Sequence, residues 1–121
     1  MDEISVKEFV DALSRFSESD INYEVKFISP NNKLLTLNKS SVYTENPDFY
    51  VLVDFVNVEE GGSITLSELI GKFKGLGDDY SNTFIDFLQP NKKSMIIQED
   101  SIYVSNKGDL VIKFHKWTPE R

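Results

Sequence analysis

From Val6 to Phe16 the apolar residues Val6, Phe9, Val10, Leu13 and Phe16 recur at helical spacing, and Leu66, Leu69, Ile70, Phe73 and Leu76 repeat that spacing sixty residues later. Each run predicts a helix with one face turned to a core. Both open on the same start signal, Ser5 with Glu8 and Thr65 with Glu68. There the hydroxyl can accept from the amide three residues on, and the carboxylate can return to the cap amide. Ile4 with Phe9 and Ile64 with Leu69 complete hydrophobic staples. Gly71 and Gly75 each weaken the second helix by about 1 kcal/mol relative to alanine, so its end is expected between Gly75 and Gly77.

A polar connection follows each helix, and the periodicity then switches from helical to alternating. Tyr23, Val25 and Phe27 face one side and Glu24 and Lys26 the other; Thr83, Ile85 and Phe87 alternate with Phe84, Asp86 and Leu88 in the same register. Turns are predicted at Pro30-Asn31-Asn32-Lys33 and Pro90-Asn91-Lys92-Lys93, because proline presets φ and asparagine tolerates turn geometry. Returning strands follow at Leu34 to Leu37 and Ser94 to Ile97, then Ser41-Val42-Tyr43 and Ser101-Ile102-Tyr103. Further turns come at Glu45-Asn46-Pro47-Asp48 and Ser105-Asn106-Lys107-Gly108. The last strand of each series, Val51, Val53, Phe55 and Leu110, Ile112, Phe114, matches once one residue is deleted.

These correspondences define an internal duplication, in which residues 4–46 align without a gap on residues 64–106. Ten pairs are identical, and most sit at caps, turns or core positions, which a duplication retains when its fold is kept. The fold class is therefore α+β: two tandem copies of a helix followed by a three- or four-stranded antiparallel sheet, residues 1–60 and 61–121. Val56 to Ser63 reads as a short polar turn joining the copies. A unit of this size buries little surface alone, so the copies are expected to pack as one body about a pseudo-two-fold axis.

Charge separates what the pattern makes alike. The 121-residue chain has a net charge of −7. Residues 1–60 hold twelve carboxylates against five Lys and Arg, whereas residues 61–121 hold eight of each. The excess acidity belongs to the first copy, where Glu18, Asp20, Glu24, Glu45, Asp48, Asp54, Glu59 and Glu60 are candidate contacts for a basic partner; solubility alone is the competing explanation. Direct nucleic-acid binding is not expected at this net charge. The basic residues near Trp117, which include Lys92, Lys93, Lys113 and Lys116, are interrupted by Asp100, Asp109 and Glu120. An exposed Trp117 would be a contact hot spot.

Catalytic signatures are absent. The chain has no cysteine, which removes thiolate zinc sites and cysteine nucleophiles, and its single histidine, His115, cannot form a two-histidine metal site. Gly71, Gly75 and Gly77 interrupt a helix instead of opening one after a strand, so they form no phosphate loop. Asp78-Asp79 with Asp86 lacks calcium-loop spacing. No catalytic residue, metal or cofactor is expected. The apolar runs are too short to span a membrane, and the acidic Met1-Asp2-Glu3 start does not suit a secretory signal, so a cytoplasmic location is expected.

Ser5-Val6-Lys7-Glu8-Phe9-Val10-Asp11-Ala12-Leu13-Ser14-Arg15-Phe16, followed by Tyr23-Glu24-Val25-Lys26-Phe27, resembles the start of many small phage and mobile-element proteins, anti-CRISPR and other anti-defence inhibitors among them. The resemblance implies a non-enzymatic inhibitor and carries no site residue. The expected function is thus an inhibitor or adaptor, monomeric or homodimeric, whose carboxylates compete with nucleic acid for a basic surface such as that of a CRISPR effector. Two alternatives share the pattern: an assembly protein that pairs through sheet edges, and an immunity protein for a basic toxin.

Overall fold

The computed structural model describes residues 3–18, 21–44, 50–60, 62–98 and 100–117, with residue 60 described in its backbone alone. Both helices form where the pattern places them, α1 over Val6–Ser14 and α2 over Leu66–Lys74. Ser5 Oγ accepts from the Glu8 amide at 3.1 Å and Glu8 Oε1 from the Ser5 amide at 2.9 Å. Thr65 and Glu68 make the same pair of bonds at 3.4 and 3.1 Å. These reciprocal bonds satisfy amides that the first helical turn leaves without intrahelical partners. Val6, Phe9 and Leu13 of α1 and Leu66, Leu69 and Phe73 of α2 are buried. Gly75 caps α2, and Gly77, at a φ of 96°, turns the chain out of the helix in a conformation that only glycine adopts readily.

Eleven strands follow the chain among the described residues: β1 Glu24–Ile28, β2 Leu34–Thr36, β3 Val42–Thr44, β4 Tyr50–Asp54, β5 Val56–Asn57, β6 Ile64–Thr65, β7 Phe84–Leu88, β8 Ser94–Ile96, β9 Ile102–Val104, β10 Leu110–Lys113 and β11 His115–Lys116. The fold is α+β. Its sheets, however, depart from the expected pair of antiparallel three- or four-stranded units. One sheet has six strands, in the order β5-β2-β1-β10-β9 with β6 also paired to β1; the other has five, β11-β8-β7-β4-β3. Both are mixed, and both draw strands from either side of residue 60. At the centre of the first, β1 runs parallel to β10, with Val25 opposite Leu110 and Phe27 opposite Ile112. At the centre of the second, β4 runs parallel to β7, with Val51 opposite Ile85 and Val53 opposite Phe87.

The physical reason lies in burial. A helix and a single hairpin sheet of some fifty residues would leave much of an apolar sheet face exposed. Pairing β1-β2 with β9-β10, and β7-β8 with β3-β4, lets both inner faces close on one core. Phe27, Phe55, Phe87 and Phe114 meet there: the Phe55–Phe114 centroids lie 5.1 Å apart edge-on, with Phe27–Phe55 at 4.9 Å and Phe87–Phe114 at 5.1 Å. Phe9 of α1 closes this cluster, 5.1 Å from Phe73 of α2 and 5.4 Å from Phe87. Backbone bonds also cross between the halves, from the Val6 amide to Thr83 O and from the Leu66 amide to Tyr23 O.

The segment after Phe55 is likewise more than a polar turn. Val56 and Asn57 form β5 against β2, and a 3-10 turn, Val58–Glu60, follows. Thr36 Oγ1 donates to Gly62 O. The turn expected at Glu45-Asn46-Pro47-Asp48 lies outside the described residues. No helix of the described residues is long and apolar enough to cross a membrane.

Two outcomes follow. Phe55→Ala and Phe114→Ala should each lower the free energy of unfolding by about 3–5 kcal/mol in urea titrations, since both rings are buried in the shared cluster. The Glu68 carboxyl is held below its ordinary value by the Thr65 amide and then by the Thr65 hydroxyl. Its contribution is therefore complete above the ordinary glutamate range and is lost as pH falls through the lowered value. Thermal melts across that interval should show a flatter pH response in Glu68→Gln than in the parent.

Candidate functional site

Of the acidic candidates of the first half, the four whose side chains are described lie on four different elements. Glu18 is exposed at the end of the 3-10 turn after α1, Glu24 lies on β1, Asp54 ends β4, and Glu59 is exposed in the 3-10 turn after β5. Asp20, Glu45 and Asp48 lie outside the described residues, as does the side chain of Glu60. Two of the others are engaged within the chain. Glu24 Oε1 accepts from Lys26 Nζ at 3.2 Å, a pair more than a third exposed and so of small energetic weight.

Asp54 has a stronger structural attachment. Its Oδ2 accepts from the Tyr43 hydroxyl at 2.9 Å. Its buried Oδ1 faces Lys92 Nζ at 3.1 Å, a charge contact without a well-directed hydrogen bond. Lys92 holds a φ of 69°, a region that the Cβ of a non-glycine residue disfavours, and the ion pair holds its side chain to the neighbouring strand. The other hairpin turn is tethered in a related way. Lys113 Nζ donates to Ser29 O at 2.9 Å and to Asn32 Oδ1 at 2.7 Å, with Asn32 at a φ of 65°.

A groove of about 980 Å³ does bring acidic and apolar groups together, but from both halves of the chain. Glu3, Ile4, Glu8, Ala12 and Arg15 supply its α1 side, and Ile97, Gln98, Asp100 and Ile102 supply the segment running from β8 into β9. Ile4, Ala12, Ile97 and Ile102 are half-buried and make an apolar floor; Glu3, Glu8 and Asp100 are exposed and bring three carboxylates to the rim against the single guanidinium of Arg15. The Tyr50 hydroxyl donates to Glu3 Oε2 at 3.1 Å. That hydrogen bond, then burial and the charges of Glu3 and Asp86, raise the Tyr50 phenol above its ordinary value. Tyr50 stands opposite Phe84 across the parallel β4-β7 pair, and both rings are exposed. An aromatic patch thus adjoins the groove beside Glu3.

The positions sixty residues away do not reproduce this lining. Ser63 stands for Glu3, Lys72 for Ala12, Gly75 for Arg15 and Ser40 for Asp100, which removes two carboxylates and moves the one cationic group to the place of Ala12. Sequence reasoning missed the groove because it counted charge by half, and because Glu8 was fully accounted for as a helix cap. A usable signal was the difference between positions sixty residues apart, Asp100/Ser40 within the aligned stretch and Glu3/Ser63 just ahead of it.

His115 lies on β11 opposite Ile96, with its Nε2 4.0 Å from Asp100 Oδ1. Among the described residues no group of three or more His, Asp and Glu side chains is placed to hold a metal ion. Trp117 is exposed. No family model, curated protein or solved structure matches this chain.

Asp54 can be tested apart from any partner. Asp54→Ala should cost about 0.5–1.5 kcal/mol in urea denaturation, because it removes the hydrogen bond from the Tyr43 hydroxyl and the charge contact with Lys92. In a double-mutant cycle with Lys92→Met the two changes should be non-additive.

Proposed function

We propose that this chain is a non-enzymatic binding protein, an inhibitor or adaptor that receives a basic, partly apolar segment of a protein partner in the α1 groove. The observation that carries the reading is the combination of an isoleucine-rich floor with the carboxylates of Glu3, Glu8 and Asp100 on its rim. Apolar contact supplies affinity, and opposite charge at the rim supplies orientation and rate of encounter. A nucleic-acid-binding surface of a defence effector has the basic chemistry such a groove complements, in keeping with the resemblance of the first helix and strand to anti-defence inhibitors. A basic toxin is a partner of the same class.

The architecture proposed beneath this function is an internal duplication whose halves exchange hairpins about a pseudo-two-fold axis. It is supported by the matching registers of the two central parallel pairs and by related ring distances, 6.4 Å for Phe27–Phe114 and 6.3 Å for Phe55–Phe87. On that axis the fold is shared and the groove is not, so the groove carries the specificity.

A second reading, self-assembly through a sheet edge, draws on β9. This strand ends the six-stranded sheet and exposes Tyr103 and Val104. A concentration-dependent dimer in sedimentation, lost in Val104→Lys, would favour it.

The groove is tested with a lysine- and leucine-bearing amphipathic peptide, followed by calorimetry over a range of salt. Binding should weaken as salt rises. Glu3→Gln and Asp100→Asn should each reduce affinity roughly two- to fivefold, with Glu18→Gln and Glu59→Gln neutral. A flat salt response, or equal losses at Glu18 and Glu59, would count against the groove.

A further inference from the structure

We propose that a second cleft, between the two proline-asparagine turns, binds a free nucleotide: an aromatic ring stacked on Trp117, with its phosphate held by Lys93 and Lys116. The cleft has a volume of about 430 Å³ and is lined by Pro30, Asn31, Gln89, Asn91, Lys93, Ser94, Lys116 and Trp117. It shares no lining residue with the acidic groove, and its size lies within the range of small-ligand sites.

The chemistry of the lining is one-sided. In a protein of net charge −7, no carboxylate among the described residues lines this cleft, while two ammonium groups do. Neither Lys93 nor Lys116 makes an ion pair among the described residues, where Lys26 and Lys92 do. The Asn91 Oδ1 accepts from the Lys93 amide at 3.0 Å, which leaves the Asn91 NH2 as the side-chain group available to donate. Asn31 and Gln89 add two further amides. The Ser94 hydroxyl is directed away, to Asp86 Oδ1 at 2.8 Å. The lining thus offers two ammonium charges and three carboxamide NH2 groups, complementary to a ligand that carries negative charge and acceptors, with the Asn31 and Gln89 oxygens as further acceptors.

Trp117 decides the second part of the ligand. Its side chain is 48% exposed and lies at one wall of the cleft, where a flat ring can stack on the indole while the neighbouring lysines reach an attached phosphate. The walls are held in place. The turn at Pro30 is tied by the bonds from Lys113 Nζ, and Ser29 Oγ accepts from the amides of Asn31 and Lys33 at 3.3 and 3.1 Å. The turn at Pro90 is tied by the Lys92–Asp54 pair. A cleft fixed by such tethers loses little conformational freedom when it is filled.

Trp117 is the single tryptophan of the chain, so its emission reports directly on the site. Full-length protein is titrated with thymidine monophosphate, thymidine, inorganic phosphate and a short oligothymidylate. Saturable quenching by the monophosphate is expected, with thymidine and phosphate each at least tenfold weaker. Lys93→Gln and Lys116→Gln should each weaken monophosphate binding roughly tenfold, the ordinary effect of losing one charge-assisted contact. Circular dichroism shows whether those variants keep the fold. Trp117→Ala, followed by calorimetry, should lose about tenfold or more. Absence of saturable quenching at millimolar monophosphate, equal binding of thymidine, or unchanged affinity in a folded Lys93→Gln/Lys116→Gln variant would overturn the proposal. Tighter binding of the oligothymidylate than of the monophosphate would overturn the assignment to a free nucleotide.

Discussion

The contact on which the rest of the structure depends is the meeting of Phe27, Phe55, Phe87 and Phe114 between the two sheets. Each half of the chain contributes two of these rings, and every ring is buried. The edge-on and tilted arrangements suit the aromatic quadrupole, and the burial of four such rings supplies a large apolar term that neither half can assemble alone. The parallel pairings of β1 with β10 and β4 with β7 follow from this closure. So do the tethers at the rim, since Lys92 reaches Asp54 and Lys113 reaches Ser29 and Asn32 only because the halves interleave.

Interleaving also explains why the sites combine residues far apart in the chain. The acidic groove needs Glu3 and Glu8 ahead of β1 and Asp100 between β8 and β9. The basic cleft needs Asn31 from the first turn and Lys93, Lys116 and Trp117 from the second half. Opposite electrostatic characters therefore line two clefts that share no residue, although the aligned halves have the same caps, turns and core positions. Several carboxylates serve the fold itself: Glu68 closes a capping box, Asp54 anchors a strained turn, and Glu8 closes a capping box while also standing at the groove rim. A count of acidic residues by half cannot distinguish these from carboxylates free to meet a partner.

The sequence made legible what depends on near neighbours. Ser5 and Thr65 announce their helices through bonds three residues long, and Val25 and Phe27 or Ile85 and Phe87 show their buried side by simple alternation. Strand partners were not legible, because Phe27 alternates in the same way whether β1 meets its own half or β10. The deletion that aligns Val51 with Leu110 was visible, and the same residues hold corresponding places in the two sheets, opposite Ile85 and Val25. Trp117 is exposed, which alternation along the last strand does not by itself dictate. The groove was hidden because Glu3 and Asp100 are ninety-seven residues apart and nothing local joins them.

The most direct test of the interleaved architecture is to prepare residues 1–60 and 61–121 as separate polypeptides and to record circular dichroism and amide spectra of each alone and of an equimolar mixture. The account predicts that each half is unfolded alone and that mixing restores strand content and dispersed amide signals in a one-to-one complex, because each sheet requires strands from both. A half that folds alone, with a cooperative unfolding transition of its own, would contradict it.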